Sequence, residues 1–286
     1  MAERRLGPGY QAFQRFCENR AAVAAAAVLA VLMAMALAAP WVAPAGYNDQ
    51  VFLDQAFAFP SAAHWFGVDP LGRDFFSRVI YGARVSLGVG FFSALVSLVV
   101  GLPLGAVAGY RGGKVDWLVM RLVELFSVVP PLLLAIVLAT FVGGGVANVV
   151  LICSGFIWVG ACRMVRGQVM AYKSREFVTA ARALGASSGY LLRRHLIPNS
   201  VSPVIVGFVL TVPKTMMIEA SLSFLGVGIN PPTPSWGQMI SSGLEYLFYF
   251  WHLALFPTLF LAIAVLATTL FADGLRDAVD PTLKGQ

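Results

Sequence analysis

Charged residues are scarce in this chain. They make up 12% of its 286 residues, whereas soluble globular proteins contain about 25%. Hydrophobic residues make up 58%, and the mean hydropathy is +0.78. These values exclude a soluble domain and predict an integral membrane protein. Because a transmembrane helix needs ~20 apolar residues, the length suits one domain of roughly six spans.

Cysteine and histidine are also rare, with three residues of each type. They are Cys17, Cys153, Cys162, His64, His195 and His252. Their spacing contains no CxxC pair and no disulfide framework, and the histidines are isolated from one another along the chain. We therefore expect this chain to bind no metal ion and no other cofactor, although single residues could still meet in space.

Catalytic motifs are missing as well. Gly112-Gly113-Lys114 is followed by Val115, so the Ser/Thr and the loop spacing of a Walker A phosphate loop are absent. The apolar segments contain no HExxH and no nucleophile paired with a base. We therefore expect a chain that is not an enzyme. The net charge of +6 is scattered between apolar runs, so no nucleic-acid partner is expected.

The chain does contain six apolar segments near spanning length, the fourth with some extension, and they predict an all-α membrane domain. They are 21–42, 85–109, 117–141, 147–162, 204–225 and 251–272. The first partly resembles a signal peptide, because Arg15 and Arg20 precede an alanine-rich core that contains Ala36-Leu37-Ala38. Its apolar run is long for a signal peptide, so a retained span is the favoured interpretation.

The distribution of Lys and Arg predicts the orientation in the membrane. With a cytoplasmic N-terminus, sixteen of the twenty Lys and Arg residues lie in cytoplasmic segments, three lie outside and Lys214 lies within a span. Because cytoplasmic loops are enriched in Lys and Arg, both termini are predicted to be cytoplasmic. The predicted segments are a cytoplasmic 1–20, a first span 21–43, an external loop 44–82, a five-helix core 83–273 and a cytoplasmic 274–286.

Two local patterns predict how the helices pack. Gly101, Gly105 and Gly109 form two overlapping GxxxG motifs, which let a neighbouring helix approach closely. Pro130 and Pro131 lie inside the third span, where each removes a backbone donor and predicts a kink. Such a kink is either a hinge or a bent packing element.

A polar, basic island interrupts the apolar pattern at 174–199. Ser174 can cap a first helix, with Glu176 near the positive end of its dipole. Gly185 is suited to end that helix, because glycine adopts the left-handed conformation of many helix C-termini. The island is therefore predicted to begin with one short helix and a sharp break.

A second helix is predicted after the break. Ser187 or Ser188 can cap it, and it should run through His195 and end at Pro198. The island combines small alanines with apolar and arginine side chains, a surface that suits insertion into a cleft on another protein. An amphipathic hairpin on the membrane surface would also fit these charges.

The spacing within the island resembles a known motif. Thr179-Ala180-Ala181 is followed after three residues by Gly185, and then by His195 and Ile197-Pro198. This pattern is similar to the EAA loop of ABC-importer permeases. It departs from that loop at two positions, where Thr179 stands in place of Glu and His195 in place of Ile. The stretches around Gly185 and His195 look like the variant in dipeptide and oligopeptide permeases, especially their C-type subunit.

Three further segments resemble the same permeases. They are the external stretch 64–84, the fifth span with its exit loop 219–237, and the C-terminal stretch 273–281. Together with the island they extend the resemblance over nearly the whole chain. It implies a six-helix type I ABC importer fold, similar to that of MetI, with both termini cytoplasmic, in the bacterial inner membrane.

The resemblance also implies partners. They are a homologous second permease, two ATPase subunits that carry ATP and Mg, an extracytoplasmic binding protein, and membrane lipid. The residues expected to contact the ATPase are Glu176, Thr179, Ala180, Ala181, Arg182, Leu184, Gly185, His195 and Pro198. Those expected to contact the binding protein are Asp69, Arg73 and Asp74, which can also form local ion pairs with Arg78.

Two ionisable residues, Lys214 and Glu219, lie in or near the fifth span. A charge at the centre of the bilayer costs roughly 2.5–3.5 kcal/mol, so both should face protein or water. One hypothesis is that Met216, Met217 and Glu219 line the substrate path or its gate. The alternative is an internal ion pair or hydrogen bond to a neighbouring helix.

A self-sufficient secondary transporter or channel is the alternative from another functional class. It would predict inverted repeats or several ionisable groups near the midplane, whereas the sequence shows a single Lys/Glu pair and no evident repeat. The expected function is therefore that of an importer permease for di- or oligopeptides. Permeases of this kind also serve glutathione and nickel chelates, so these solutes remain alternatives.

Overall fold

The computed structural model describes residues 8–279, in which every regular element is helical and one isolated bridge joins Val68 to Asp74. The helices are α1 Pro8–Glu18, α2 Arg20–Val42, α3 Phe75–Arg111, α4 Gly113–Val128, α5 Pro131–Val142, α6 Val146–Lys173, α7 Glu176–Ala183, α8 Ser188–Leu191, α9 Ile197–Phe224, α10 Trp236–Leu244 and α11 His252–Val279. A short 3-10 turn covers Leu53–Gln55, and a π turn, Leu192–Leu196, joins α8 to α9. The predicted terminal segments 1–7 and 280–286 lie outside the described residues.

Five helices of the described chain are long and apolar enough to cross a membrane. They are α2, α3, α6, the continuous Ser188–Phe224 and α11. The sixth predicted span consists of α4 and α5, which meet at an angle of 85°. Pro131 begins α5, and Pro130 lacks the N–H that would continue α4. The all-α fold and the kink are thus confirmed, and the described chain has five candidate spans, or six if the bent pair of α4 and α5 counts as one.

Helix α3 begins earlier than its apolar run predicts. The Asp74 carboxylate accepts a hydrogen bond from the Ser77 N–H at 2.7 Å, which caps the helix ten residues before Val85. Its 37 residues give a length of roughly 55 Å at 1.5 Å per residue. Because this exceeds the ~30 Å hydrocarbon core, α3 extends beyond the bilayer and enters the lobe formed by residues 43–74.

The glycine motifs of α3 lie directly against α6. A Cβ atom at Gly101 would lie 2.7 Å from the Trp158 carbonyl oxygen, and one at Gly109 would lie 2.7 Å from that of Arg166. Between them, Gly105 faces the Cys162 carbonyl oxygen. These three glycines, spaced four residues apart on α3, thus all lie against backbone of α6. The close approach that the GxxxG pattern predicts is confirmed.

The first span packs as part of the fold. Leu32 and Ala36 of α2 lie in one apolar cluster with Leu261 of α11. Before α2, the short helix α1 places Phe16 edge-on against Phe271, with ring centroids 5.5 Å apart. These contacts favour the retained span over the signal-peptide interpretation.

The glycine contact yields a stability prediction. Gly105→Ala would force a methyl group into the Cys162 carbonyl, and we expect it to lower the free energy of unfolding by about 1–3 kcal/mol. Thermal unfolding of the purified permease in detergent measures the change. Gly88→Ala is the matched control on the same helix, because its Cβ would meet open space. Equal stability of the two variants would contradict the packing role of Gly105.

Candidate functional site

The polar island, called here the coupling segment (residues 174–199), folds as two short helices. The first, α7, is preceded by Arg175, and no side chain caps it. The prediction that Ser174 caps this helix is wrong. Helix α6 runs to Lys173, so Ser174 closes α6 instead of opening α7.

Gly185 breaks the coupling segment as predicted. Its φ of +88° lies in the left-handed region. The Gly185 N–H donates to the Arg182 carbonyl at 3.0 Å, and the Ala186 N–H donates to the Ala181 carbonyl at 3.1 Å. These two bonds form a Schellman motif, which ends the helix and satisfies its last carbonyls. Glycine adopts this conformation without strain, because it has no Cβ atom.

The second helix begins as predicted but continues further. Ser187 caps α8 by accepting a hydrogen bond from the Tyr190 N–H at 3.3 Å. The prediction that Pro198 ends this helix is wrong, because the chain remains helical through a π turn into α9. Pro198 lacks an N–H but interrupts only its own helical hydrogen bond. In the same turn the Asn199 side-chain amide donates to the His195 carbonyl at 2.6 Å.

The inner face of the coupling segment is apolar and packs on the membrane helices. Val178, Leu191 and Leu196 are buried in one cluster with Val165 and Val169 of α6. Since these side chains are removed from water, they hold the segment to the end of α6. The segment is therefore part of the packed structure and not a free loop.

Tyr110, near the end of α3, holds three parts of the coupling region. Its hydroxyl donates to Ser188 Oγ at 3.2 Å, and its carbonyl accepts a hydrogen bond from Lys173 Nζ. The guanidinium of Arg182 lies 5.9 Å from the centre of its ring, within cation–π distance. The roles of Tyr110 and Lys173 could not be predicted from the sequence, because their contacts join residues that are far apart along the chain.

The outer face of the coupling segment exposes most of the residues predicted to contact an ATPase. Exposed positions are Glu176, Thr179, Ala180, Arg182, Leu184, Gly185 and Pro198, whereas Ala181 and His195 are half-buried. Leu184 is 89% exposed. Beside it, an open groove of about 540 Å³ lies at the break between the helices, lined by Ala181, Gly185 and Tyr190 among others. An exposed apolar side chain beside a groove is typical of a surface that binds another protein.

The second candidate set lies in the external lobe, at the other end of α3. Asp69 is 3% exposed, and its carboxylate accepts a hydrogen bond from Arg73 Nε at 2.6 Å and lies 3.6 Å from Arg78 Nε. The Arg78 guanidinium also donates to the Tyr47 carbonyl at 3.0 Å. The expected local ion pairs are confirmed, and they join the lobe to the start of α3.

Asp74 is likewise buried, since its carboxylate caps α3 and lies 3.6 Å from His64 Nδ1. The side chains of Asp69, Arg73 and Asp74 therefore shape the lobe from within. The exposed side chains beside them are those of Trp65 and Leu71. That this lobe contacts a binding protein remains a prediction.

The third candidate set lies in α9, where Glu219 is fully buried. Its carboxylate accepts hydrogen bonds from Ser223 Oγ at 2.8 Å and from Ser86 Oγ of α3 at 3.4 Å. Ser86 in turn accepts a hydrogen bond from the Trp236 N–H at 3.1 Å. The geometry supports the alternative of an internal hydrogen bond to a neighbouring helix.

The methionines beside Glu219 point in different directions. Met216 is buried against Gly90 and Trp236, whereas Met217 is 50% exposed. Lys214, on the same helix, is exposed and lines a cavity. Their part in a substrate path remains a proposal. Among residues 8–279, no group of three or more His, Cys, Asp or Glu side chains could hold a metal ion.

Comparison with known proteins identifies the family. The family described as "Binding-protein-dependent transport system inner membrane component" matches residues 101–285. The family described as "N-terminal TM domain of oligopeptide transport permease C" matches residues 7–60. The chain belongs to these transport permeases. It is a multi-pass inner membrane protein, and the resemblance seen in the island and in the three further segments is confirmed.

Individual relatives match almost the full chain. The dipeptide transport system permease protein DppC of Bacillus subtilis is 40% identical over 275 residues, covering 96% of this chain and 85% of DppC. The glutathione transport system permease protein GsiD of Pectobacterium atrosepticum is 40% identical over 277 residues, covering 97% and 92%. Both relatives are permease subunits by name.

A solved structure has the same fold. The inward-facing MetNI methionine ABC transporter matches with a TM-score of 0.59 and 22% identity, covering 72% of this chain and 97% of that chain. The predicted MetI-like fold is thus confirmed. The predicted orientation, with both termini cytoplasmic, remains a prediction.

The buried ion pairs of the lobe yield a second prediction. Asp69→Asn would leave Arg73 and Arg78 without the carboxylate that they share, and we expect a loss of about 3–5 kcal/mol in the free energy of unfolding. Thermal unfolding, together with protease cleavage within residues 43–74, measures the effect. The control is Asp54→Asn, because Asp54 is exposed. A lobe that stays protease-resistant in Asp69→Asn would show that the ion pairs do not hold it.

Proposed function

We propose that this permease forms half of the translocation path of an ATP-driven importer for short peptides. The observation that carries the proposal is near-full-length identity of 40% to a dipeptide permease and to a glutathione permease. The two named solutes share a short peptide backbone with a free carboxylate. An importer of di- or oligopeptides is the principal proposal, and glutathione is the alternative within the same chemistry.

The proposed partners are a second, homologous permease, two ATPase subunits and an extracytoplasmic binding protein. ATP and Mg would be held by the ATPases, so this chain performs no bond chemistry. The coupling segment supports the ATPase contact, since it presents Leu184 and an open groove on its outer face. A transporter without ATPase subunits would have no partner protein to cover this exposed apolar side chain.

Reconstitution of the permease with these partners in proteoliposomes tests the proposal. We expect ATP-dependent uptake of labelled dipeptides or oligopeptides from the side that holds the binding protein. Replacing ATP by a non-hydrolysable analogue should abolish it. Uptake of glutathione alone would favour the alternative. Transport driven by an ion gradient without ATPase subunits would contradict the proposal.

Leu184→Ser tests the ATPase contact directly. Because Leu184 is 89% exposed, its loss should leave the thermal stability of the isolated permease unchanged. Burying a leucine contributes about 1.5–3 kcal/mol, so ATPase binding should weaken roughly tenfold to hundredfold. Titration of purified ATPase against the permease in nanodiscs measures the affinity. An unchanged affinity would remove Leu184 from the docking surface.

Gly185 supplies a second test, which acts through the backbone. Gly185→Leu cannot adopt a φ of +88° without strain, and the cost of about 1–2 kcal/mol should shift the break and lower substrate-stimulated ATP hydrolysis. Gly185→Asn is the matched variant, because asparagine tolerates the left-handed region. We expect Asn to retain most of the hydrolysis that Leu loses. Full activity of Gly185→Leu would contradict the role assigned to the break.

A further inference from the structure

Lys214 is a charged residue in an unusual position. It lies inside Ser188–Phe224, one of the helices that can cross the membrane, and its side chain is exposed on the surface of the chain. Within residues 8–279, no acidic side chain lies in ion-pair distance of it. A lysine in mid-span is costly when it faces lipid. Its surroundings must therefore supply water or a counter-charge.

The side chain lines a cavity between three helices. The cavity has a volume of about 160 Å³ and is bounded by Ser97 of α3, Met164 of α6 and Thr211 of α9, among other residues. Its lining contains no Asp and no Glu. Among the residues that line this cavity, Lys214 is the charged one, and no acidic residue there neutralises its ammonium group.

A second cavity continues the first toward the coupling segment. It has a volume of about 750 Å³ and is lined by Gln168, Asn199 and Arg276, again without an acidic residue. The two cavities share Met164, Gly207 and Leu210. The cavities therefore adjoin, and together they are called here the groove, with one cationic side chain lining each part, Lys214 in the first and Arg276 in the second.

Met164 separates the two parts. Its terminal methyl group occupies the space where a side chain at residue 207 would lie, so it packs directly on Gly207. Methionine has flexible torsions and adapts to neighbouring groups. A rotamer change of Met164 would join the two cavities without movement of the backbone.

We propose that this groove is this chain's half of the solute path and that Lys214 binds the C-terminal carboxylate of the peptide. The proposal rests on the proposed function and names the group of the substrate that the permease recognises. A peptide with a free C-terminal carboxylate supplies the counter-charge that the groove lacks. In this arrangement Lys214 selects solutes that have a free carboxylate. The buried Glu219 instead holds α9 to α3 through its hydrogen bond with Ser86.

Uptake of matched peptides tests the charge selection. The complete importer in proteoliposomes is supplied with one dipeptide as its free acid and as its C-terminal amide. We expect Lys214→Met to lower uptake of the acid roughly tenfold relative to the amide, the effect of losing one charged hydrogen bond. Every variant is assayed with the same binding protein, saturated with peptide. Any preference of that protein for acid or amide is therefore the same in all variants and cancels when their uptake ratios are compared.

Two matched variants complete the uptake experiment. Lys214→Arg keeps the positive charge and should keep the ratio of acid to amide close to that of the wild type. Lys114→Met removes an exposed lysine that does not line the groove, and it should leave the ratio unchanged. An unchanged ratio in Lys214→Met would overturn the proposal. Loss of the second permease subunit from Lys214→Met would overturn it as well, because Lys214 would then pair with that subunit.

A second readout does not depend on transport. Thr211→Cys, in a background with the exposed Cys17 replaced by Ser, places a thiol in the groove. Relative to its rate with a free thiol in solution, a sulfonate-bearing methanethiosulfonate should label it about tenfold faster than a trimethylammonium-bearing one, and Lys214→Met should remove that preference. Val99→Cys, an exposed apolar position of α3 outside the groove, is the control and should stay unlabelled.

The two readouts separate the inference from the proposed function. Anion-selective labelling of Thr211→Cys without any peptide uptake would support the groove and contradict the peptide importer. Peptide uptake with equal labelling by both reagents would support the importer and overturn the groove.

Discussion

The close approach of α3 to α6 is the contact on which the rest of the structure depends. Within a bilayer, burial of apolar side chains does not drive helices together, so association requires backbones that can come close. Gly101, Gly105 and Gly109 provide this on α3, and each faces a carbonyl oxygen of α6. The contact aligns two helices that both reach the coupling segment. A side chain at any of these three positions would press on the backbone of α6 and weaken this contact.

The position of α3 determines how the chain packs at both ends of the molecule. At its start, Asp74 caps the helix and the buried pair of Asp69 with Arg73 folds the external lobe around the first turn. At its end, Tyr110 contacts α6 and the coupling segment through Lys173 and Ser188. The lobe and the coupling segment therefore lie at opposite ends of one helix of roughly 55 Å. That separation fits sites for a binding protein and for an ATPase on opposite sides of the membrane.

The sequence predicts the fold and the coupling segment well at positions where a single residue type decides the local backbone geometry. Gly185 signalled a left-handed break, Ser187 a cap and Pro130-Pro131 a kink, because each acts on its own turn of chain. The failures concern residues whose role depends on distant neighbours. Pro198 did not end its helix, because the chain continues through a π turn directly into α9. The burial of Asp69 and the contacts of Tyr110 likewise depend on segments remote in sequence.

Helix α9 connects the proposed docking surface to the proposed groove without an intervening loop. From Ser188 to Lys214 the chain is helical throughout, a distance of roughly 40 Å at 1.5 Å per residue. Lys214 and Glu219 are five residues apart and so about 140° apart around the axis, at 3.6 residues per turn. This offset places the hydrogen-bonded carboxylate against α3 and the lysine in the groove. A displacement of the coupling segment would therefore reach Lys214 along the same helix, and the hydrogen bond between Ser86 and Glu219 would couple that movement to α3.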